Sequence, residues 1–572
     1  MKQQQITGAE GLVKSLICEG VDLIFGYPGG AIINVYDKLY DYTDRLKHIL
    51  VRHEQGAIHA AQGYARVTGR PGVVVVTSGP GAANVVTGLS DALMDSTPLV
   101  VISGQVASNF LGTDAFQETD VVAMTQQITK WAIQIRHAED IPAAVARAFY
   151  IATTGRPGPV VLDISKDAQN ELMEWHHTTC RFIRSYNPTP EVPDATIFEI
   201  ASMLNAAERP LILAGHGVTI SGAGDVLRRV AEKGNIYVGE TLLGLASLPA
   251  DNQYCLGMVG MHGHVAANVA VNNADVILGI GLRFDDRVTS DVHNFAPHAK
   301  IIHVDIDAAE LKKTVSEYMS VQGDARDVLS RLVPLMKYRE RPECDATVRK
   351  YKAMEKEYVT DVECSPSRQK LTMGEVISTV SDYSGNDTIC VTDVGQNQMF
   401  AAGYFKCRSD RSFLSSGGLG TMGFGLPAAI GAKIGAPDRQ VCLFVGDGGL
   451  QMTIQEFGTI MAYNVPVKIV LLNNDFLGNV RQWQQLFFNG RFSQTQMFNP
   501  DFVAIAKAYG IAGEVVTTRE ELPNAVRRML ASETAYLLDV RIDCTDMMFP
   551  MIIPGTRERK LFLNQDKSIT LE

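Results

Sequence analysis

The stretch SSGGLGTMGFGLPAAIGA (415–432), continued by VCLFVGDGG (441–449) and KIVLLNNDFLGN (468–479), decides how this chain folds. Its two apolar runs are strand-length, and each ends on a cluster of small or amide residues. The pattern predicts strand, tight turn, helix and second strand. Gly446, Gly448 and Gly449 let backbone N–H groups approach an anion at the start of the next helix. Asp447 in that turn would repel a bare phosphate. It fits a divalent cation placed between carboxylate and diphosphate, a role for Mg²⁺ and hard oxygen ligands. Asn474, at the end of the next strand, can add a neutral carbonyl, and Phe476 a backbone carbonyl.

Outward from this segment the same alternation repeats. Leu23–Phe25, GYPGG (26–30), a helix beginning near His53, and VVVVTSGPGAANVV (73–86) read as strands, Gly-rich turns and helices. The fold class is therefore α/β, with three doubly wound parallel-sheet domains. The expected boundaries are 1–175, 190–340 and 370–545, with a tail at 546–572 able to fold over a site. Residues 167–194, with Pro188, Pro190 and Pro193, and the charge-rich, helix-prone 337–370 read as linkers. The first and third blocks look architecturally alike.

Composition narrows the function. A 572-residue chain with 46% hydrophobic residues can bury several cores, and a net charge of −11 opposes a nucleic-acid or anionic-membrane binder. The N-terminus has no signal-peptide pattern, and no apolar run reaches membrane length. Nine scattered Cys without a CxxC pair fit reduced thiols in a cytoplasmic enzyme.

GDG followed by NN at this separation resembles the diphosphate-binding motif of the thiamine-diphosphate-dependent decarboxylase and carboligase superfamily. The resemblance spans the chain and implies pyrimidine-binding, central and diphosphate-binding domains. It implies that Glu54 in VRHEQGA holds N1′ of the cofactor's aminopyrimidine, so that the cofactor acts as its own base. Met422 would wedge the cofactor into its bent shape, and Gly420 would offer a carbonyl to the pyrimidine. Val394, Gly395, Gln396, Asn397 and Gln398 would embrace the diphosphate, with Asn397 where the family usually has His. Pro28, Gly29, Pro80 and Asn84 would border the pyrimidine. Gly448, Gly449, Leu477 and Gly478 would complete the thiamine-diphosphate site, with Asp447, Asn474 and Phe476 on Mg²⁺.

Four further stretches, GTDAFQE (112–118), GMHG (260–263), RFDDR (283–287) and GNVRQWQ (478–484), resemble the acetohydroxyacid synthase (acetolactate synthase) catalytic-subunit family. That resemblance implies an FAD site made by Arg156, Gly215, His216, Gly217, Thr241, Leu242, Gly260, Met261, His262, Gly263, Gly281, Arg283, Asp285, Arg287, Asp305, Ile306, Asp324, Ala325, Gly417 and Gly418. His216 stands where glycine is more usual. Gln117 and Lys166 would act near the reacting centre. Gly30, Ala31, Phe116, Arg287 and Trp483 would meet the substrates, pyruvate and 2-ketobutyrate, with Trp483 selecting the longer acceptor. Asn479 replaces a common Met in the acceptor channel. The implied partners are a second copy of the chain, in a dimer or a dimer of dimers, and a small regulatory subunit. The implied pathway is valine, leucine and isoleucine synthesis. The same superfamily leaves two alternatives: a catabolic acetolactate synthase without FAD, and a flavin-dependent pyruvate oxidase.

Overall fold

A computed structural model describes residues 5–365, 367–553 and 559–571. Three six-stranded parallel sheets form the frame, as the alternation of elements predicts. The first runs, in spatial order, Lys47–Leu50, Leu23–Gly26, Gly72–Val76, Leu99–Gln105, Pro159–Ser165 and Trp131–Ile135. The third runs Phe413–Leu414, Ile389–Thr392, Val441–Gly446, Lys468–Asn473, Tyr536–Arg541 and Ala512–Val516. By chain position both read second, first, third, fourth, sixth, fifth, so the two outer domains share one topology. Their central strands are buried along their whole length, as in Gly72–Val76 and Lys468–Asn473. Near-continuous apolar runs such as VVVV and IVLL are what a sheet covered on both faces demands.

The middle sheet differs. Its order is Cys255–Met258, Tyr237–Glu240, Pro210–Ala214, Val276–Ile280, Lys300–Asp305 and Met319–Gln322, or third, second, first, fourth, fifth, sixth. The order in which strands are laid down reverses between Pro210–Ala214 and Val276–Ile280. A crevice opens at the strand ends there, the usual place for a dinucleotide.

Helix Glu54–Thr68 clasps the outer domains together. His53 caps it, accepting from the Gln55 N–H at 3.1 Å, and Gly69 ends it at φ 70°. It crosses helix Gly425–Gly435 at two glycines. A Cβ on Gly63 would lie 2.0 Å from the Ala428 carbonyl oxygen, and one on Gly431 would lie 1.8 Å from that of Ala60. The backbones touch, and only glycine permits it.

Both expected linkers are partly ordered elements. Residues 167–194 begin with helix Lys166–Asn170 and strand Leu172–Glu174, which pairs antiparallel with Gln5–Thr7. Within 337–370, helix Pro342–Glu355 packs on Val265–Asn273, and the Glu355 carboxylate receives the Val265 N–H at 2.8 Å and faces His264 Nδ1 at 2.6 Å. Tyr351 and Met354, with Tyr358 beyond them, pack with Val265, Val269 and Ile552. The helix-prone, charge-rich segment is thus a packed helix rather than a free linker. The tail forms a three-stranded antiparallel sheet of Met551–Ile552, Lys560–Phe562 and Ser568–Thr570 on that same cluster. Pro554 and Gly555 of its FPMIIPG motif lie outside the described residues.

No helix among the described residues is long and apolar enough to cross a membrane. Substituting Gly431→Ala should lower unfolding free energy in chemical denaturation by about 1–3 kcal/mol through overpacking. Gly385→Ala, where the nearest atom is 3.9 Å away, should change it far less.

Candidate active site

The sequence-predicted residues gather into two half-sites and one cavity. In the third domain, Gly395 (φ 127°) precedes helix Gln396–Tyr404, and Gly446 precedes helix Asp447–Thr453. Neither cap residue carries a side chain to satisfy the first-turn N–H groups. Both helix starts are thus available to an anion. They face one another: a Cβ on Gly446 would lie 3.8 Å from Asn397 Nδ2. Asn397 Oδ1 and Gln396 Oε1 are buried without partners, so this corner also holds accepting capacity, suited to a donor or a cation rather than to the anion itself, that the chain does not use.

Asp447 is 1% exposed, and burial pushes its carboxyl up to about 6 despite hydrogen bonds from Asn499 and the Gly448 N–H. Its Oδ2 accepts from Asn499 Nδ2 at 2.6 Å, and the same nitrogen reaches Asn473 Oδ1 at 3.1 Å and Asp475 Oδ1 at 3.0 Å. Asn474 is buried, its Oδ1 accepting from the Phe476 N–H at 3.1 Å. The buried Asp447 carboxylate and the buried Asn474 amide offer hard oxygens of the kind that suits Mg²⁺. Asn499 escapes a sequence reading because its FNPDF context is an ordinary Asn-Pro turn, 25 residues beyond Asn474.

The 415–425 loop is held by three buried carboxylates. Asp393, buried with its carboxyl raised by desolvation, accepts the N–H groups of Val394 (2.8 Å), Gly423 (3.0 Å) and Gly425 (2.8 Å). From the first domain, Asp95 accepts the N–H groups of Gly417 (2.9 Å) and Gly418 (2.7 Å) while pairing with Arg66 at 2.9 Å. Asp91 takes the hydroxyls of Ser416 and Thr421. Burial, with Asp95 beside it, pushes the Asp91 carboxyl up to about 6. Gly420 (φ 73°) and Gly423 (φ 87°) supply the left-handed turns around Met422. The Met422 methyl ends 3.6 Å from where a Gly448 Cβ would sit, and Leu477 Cδ2 lies 2.7 Å from that point. Sequence reasoning misses these acids. Two acids in SDALMD, an otherwise apolar helix, are the available signal.

The second half-site belongs to the first domain. Glu54 Oε2 accepts from Asn84 Nδ2 at 2.9 Å, and its Oε1 faces Gly81, where a Cβ would be 3.4 Å away. Thr77 fills the space beside Gly29 and accepts the Ala31 N–H at 3.3 Å. Gln117, at φ 60°, lays its backbone against Gly79, and Glu118 folds the GTDAFQE loop by accepting N–H groups of Gly112, Thr113 and Ala115. Pro28, Gly30, Pro80 and Lys166 are exposed, and Phe116 is 88% exposed. Among the described residues no hydrogen bond or ion pair joins the Glu54 cluster to the Asp447 cluster.

At the switch point of the middle sheet lies a cavity of about 860 Å³. It is lined by Arg156, His216, Gly217, Thr241, Leu242, Met261, His262, Gly281, Arg283, Asp285, Arg287, Asp305, Ile306, Asp324, Ala325, Gly417 and Gly418. Gly215, Gly260 and Gly263 stand behind the wall, where a side chain would strike the carbonyl oxygens of Gly281, Arg287 and Met258. Burial holds both His216 and His262 down at about 4, so neutral imidazoles face the cavity. Arg156, Arg283 and Arg287 are its cations, Arg156 already paired with Glu310 at 2.7 Å. The size, the switch-point glycines and the arginines suit a dinucleotide such as FAD. The cavity is also lined by Val394, Gly420, Asn479 and Trp483, so the third domain's loop and helix that flank the Asp447 corner form part of its wall.

Three family models match in order. They are the N-terminal TPP binding domain of thiamine pyrophosphate enzymes (6–124), the central domain (197–332) and the C-terminal TPP binding domain (393–540). Relatives cover nearly the whole chain. A probable acetolactate synthase large subunit of Methanocaldococcus jannaschii is 44% identical over 96% of this chain and 94% of its own. The isozyme 2 large subunit of Escherichia coli is 43% identical over 97% and 99%. The acetolactate synthase large subunit of Corynebacterium glutamicum is 43% identical over 97% and 89%. Substituting Asp95→Ala should leave the buried Arg66 guanidinium without its carboxylate and two loop N–H groups without an acceptor, with an expected loss of about 3–5 kcal/mol in urea denaturation.

Proposed function

This chain belongs to the acetolactate synthase large-subunit family of thiamine pyrophosphate enzymes, and from that premise we propose that it decarboxylates pyruvate and joins the remaining two-carbon unit to a second 2-keto acid. With pyruvate as acceptor the product is 2-acetolactate; with 2-ketobutyrate it is 2-aceto-2-hydroxybutyrate. One CO₂ leaves, one C–C bond forms, and no net oxidation occurs. These are steps of branched-chain amino acid synthesis. The observation that carries the reading is the continuity of the central cavity with Trp483 and the Gly420 loop.

Thiamine diphosphate, when bound, supplies an electron sink for the pair left by the departing carboxylate. The chain's residues do the rest. Glu54 holds the proton shared with N1′ of the aminopyrimidine, and Asn84 fixes its rotamer from the other oxygen. The helix starts at Gln396 and Asp447, with the Gly448 and Gly449 N–H groups, hold the diphosphate. Asp447, Asn474 and the Phe476 carbonyl hold Mg²⁺, with Asn499 aligning Asp447. Met422, framed by two left-handed glycines, presses on the cofactor. The central cavity holds FAD. Arg287 pairs with the carboxylate of the acceptor, and the Trp483 indole gains contact from one extra methylene, worth about 1–3 kcal/mol. Gly30, Ala31, Phe116, Gln117 and Lys166 border the reacting keto acids.

The Glu54 half-site presents Phe116 and Lys166 to solvent in a single chain. A second copy, docking its Asp447 half-site there, covers this surface and completes the centre, so the active unit is at least a dimer. The relatives are named large subunits, which fits a separate small regulatory chain as a further partner.

Glu54→Gln should lower 2-acetolactate formation by about 100-fold or more, while the flavin released on denaturing the purified protein stays at the parent level. A full rate would overturn its role. Dialysis against EDTA should abolish 2-acetolactate formation. Mg²⁺ should restore it in the parent but not in Asp447→Ala; recovery in that variant would remove Asp447 from the metal site.

A further inference from the structure

Helix Gly478–Phe487 brings Asn479 and Trp483 to the cavity wall, yet Gln482 beside Trp483 is turned inward and only 1% exposed. Its amide is fully engaged. Oε1 accepts from Gln396 Nε2 at 3.0 Å and from the Met548 N–H at 3.0 Å, and Nε2 donates to the Met548 carbonyl at 3.3 Å. Gln396 opens the helix of the diphosphate corner, and its Nε2 also donates to the Asp546 carbonyl at 2.9 Å. The Gln396 side chain in turn occupies the space where a Gly478 Cβ would stand, so the Trp483 helix begins directly on it.

The segment that Gln482 grips continues to the other wall of the cavity. The Pro550 carbonyl lies 3.3 Å from His262 Nδ1, and the Ile552 N–H donates to the Met261 carbonyl at 2.7 Å. The latter bond fastens the tail to the Met261–His262 loop. One buried amide therefore joins the diphosphate corner, the Trp483 helix and the segment that backs the opposite wall. A residue that only filled space there would not need matched hydrogen bonds to both Gln396 and Met548.

We propose that Gln482 is a positioning residue that sets how far Trp483 enters the cavity, and through it the preference between acceptors differing by one methylene. The proposal rests on the function argued above. A methylene contact on an indole wall is sensitive to small displacements. Loosening the helix should erode the preference for 2-ketobutyrate without abolishing either reaction. The same change should loosen Gln396 and weaken the hold on the diphosphate.

The test compares the holoenzyme with Gln482→Met, which keeps the volume and loses the hydrogen bonds, and with Gln482→Glu, which keeps the accepting oxygen. Pyruvate and 2-ketobutyrate compete in one vessel, and the ratio of the two products is measured. Separately, thiamine diphosphate is titrated into cofactor-stripped protein with Mg²⁺, followed by tryptophan emission. In Gln482→Met the product ratio should fall about fivefold, and the Kd for thiamine diphosphate should rise, while Gln482→Glu, which loses the donation to Met548, should show the same two changes to a smaller, measurable degree. A folded Gln482→Met that keeps the parent ratio overturns the proposal. If that variant does not fold, Gln482→Glu decides: a lowered ratio supports the proposal and an unchanged one overturns it. A parent that condenses neither acid would instead overturn the functional reading. The titration alone would then decide for Gln482, with an unchanged Kd in the variants counting against it.

Discussion

Asp95 is the point on which the three domains converge. Its carboxylate pairs with Arg66 of its own domain at 2.9 Å and takes the Gly417 and Gly418 N–H groups of the third domain. Its backbone carbonyl lies 3.0 Å from His216 Nδ1 of the middle domain. A charge buried this deeply is costly unless it is paired and fully hydrogen-bonded. That cost makes the arrangement specific: any shift of one domain would leave the carboxylate, the guanidinium or the loop N–H groups without partners. The glycine crossing of Gly63 and Gly431 brings the outer domains close enough for this pairing, and the pairing fixes their register.

The same logic runs through the 415–425 loop. A glycine-rich loop has large conformational freedom in the unfolded chain and little side-chain packing to order it. Here Asp393, Asp91 and Asp95 order it from outside, through N–H groups and hydroxyls. Met422 is consequently held on a loop that is flexible by composition and rigid by its surroundings. Asn499 plays the corresponding part for Asp447, bridging the turn and the Asn473–Asp475 stretch with one nitrogen.

These supports mark the boundary of what is legible in the sequence. The three α/β domains, the likeness of the outer two and the GDGG and NN pair are readable because their signals are local: a strand, a turn and a helix start within a few residues. Glu54 and Trp483 stand out only through the family resemblance. Asp91, Asp95, Asp393 and Asn499 are not readable, because each acts on groups far away in the chain and leaves no periodicity of its own. Helix Pro342–Glu355 reads as a linker for a related reason. Its apolar face is narrow and its charges are dense, so only the packing partner at Val265–Asn273 reveals which face is buried.

Site and support also divide the labour of specificity. The metal corner and Glu54 suit any reaction of thiamine diphosphate, and fold alone does not choose among them. On the proposed function, the choice of acceptor falls to the wall shared between the middle domain's cavity and the third domain's helix Gly478–Phe487. That wall is built from two domains, and the segment 546–552 ties its two sides together. On that proposed function, a change of acceptor would need no change at Glu54 or Asp447, only a different depth of the Trp483 indole. The buried amide of Gln482 links the helix that carries that indole to Gln396 and to the 546–548 segment.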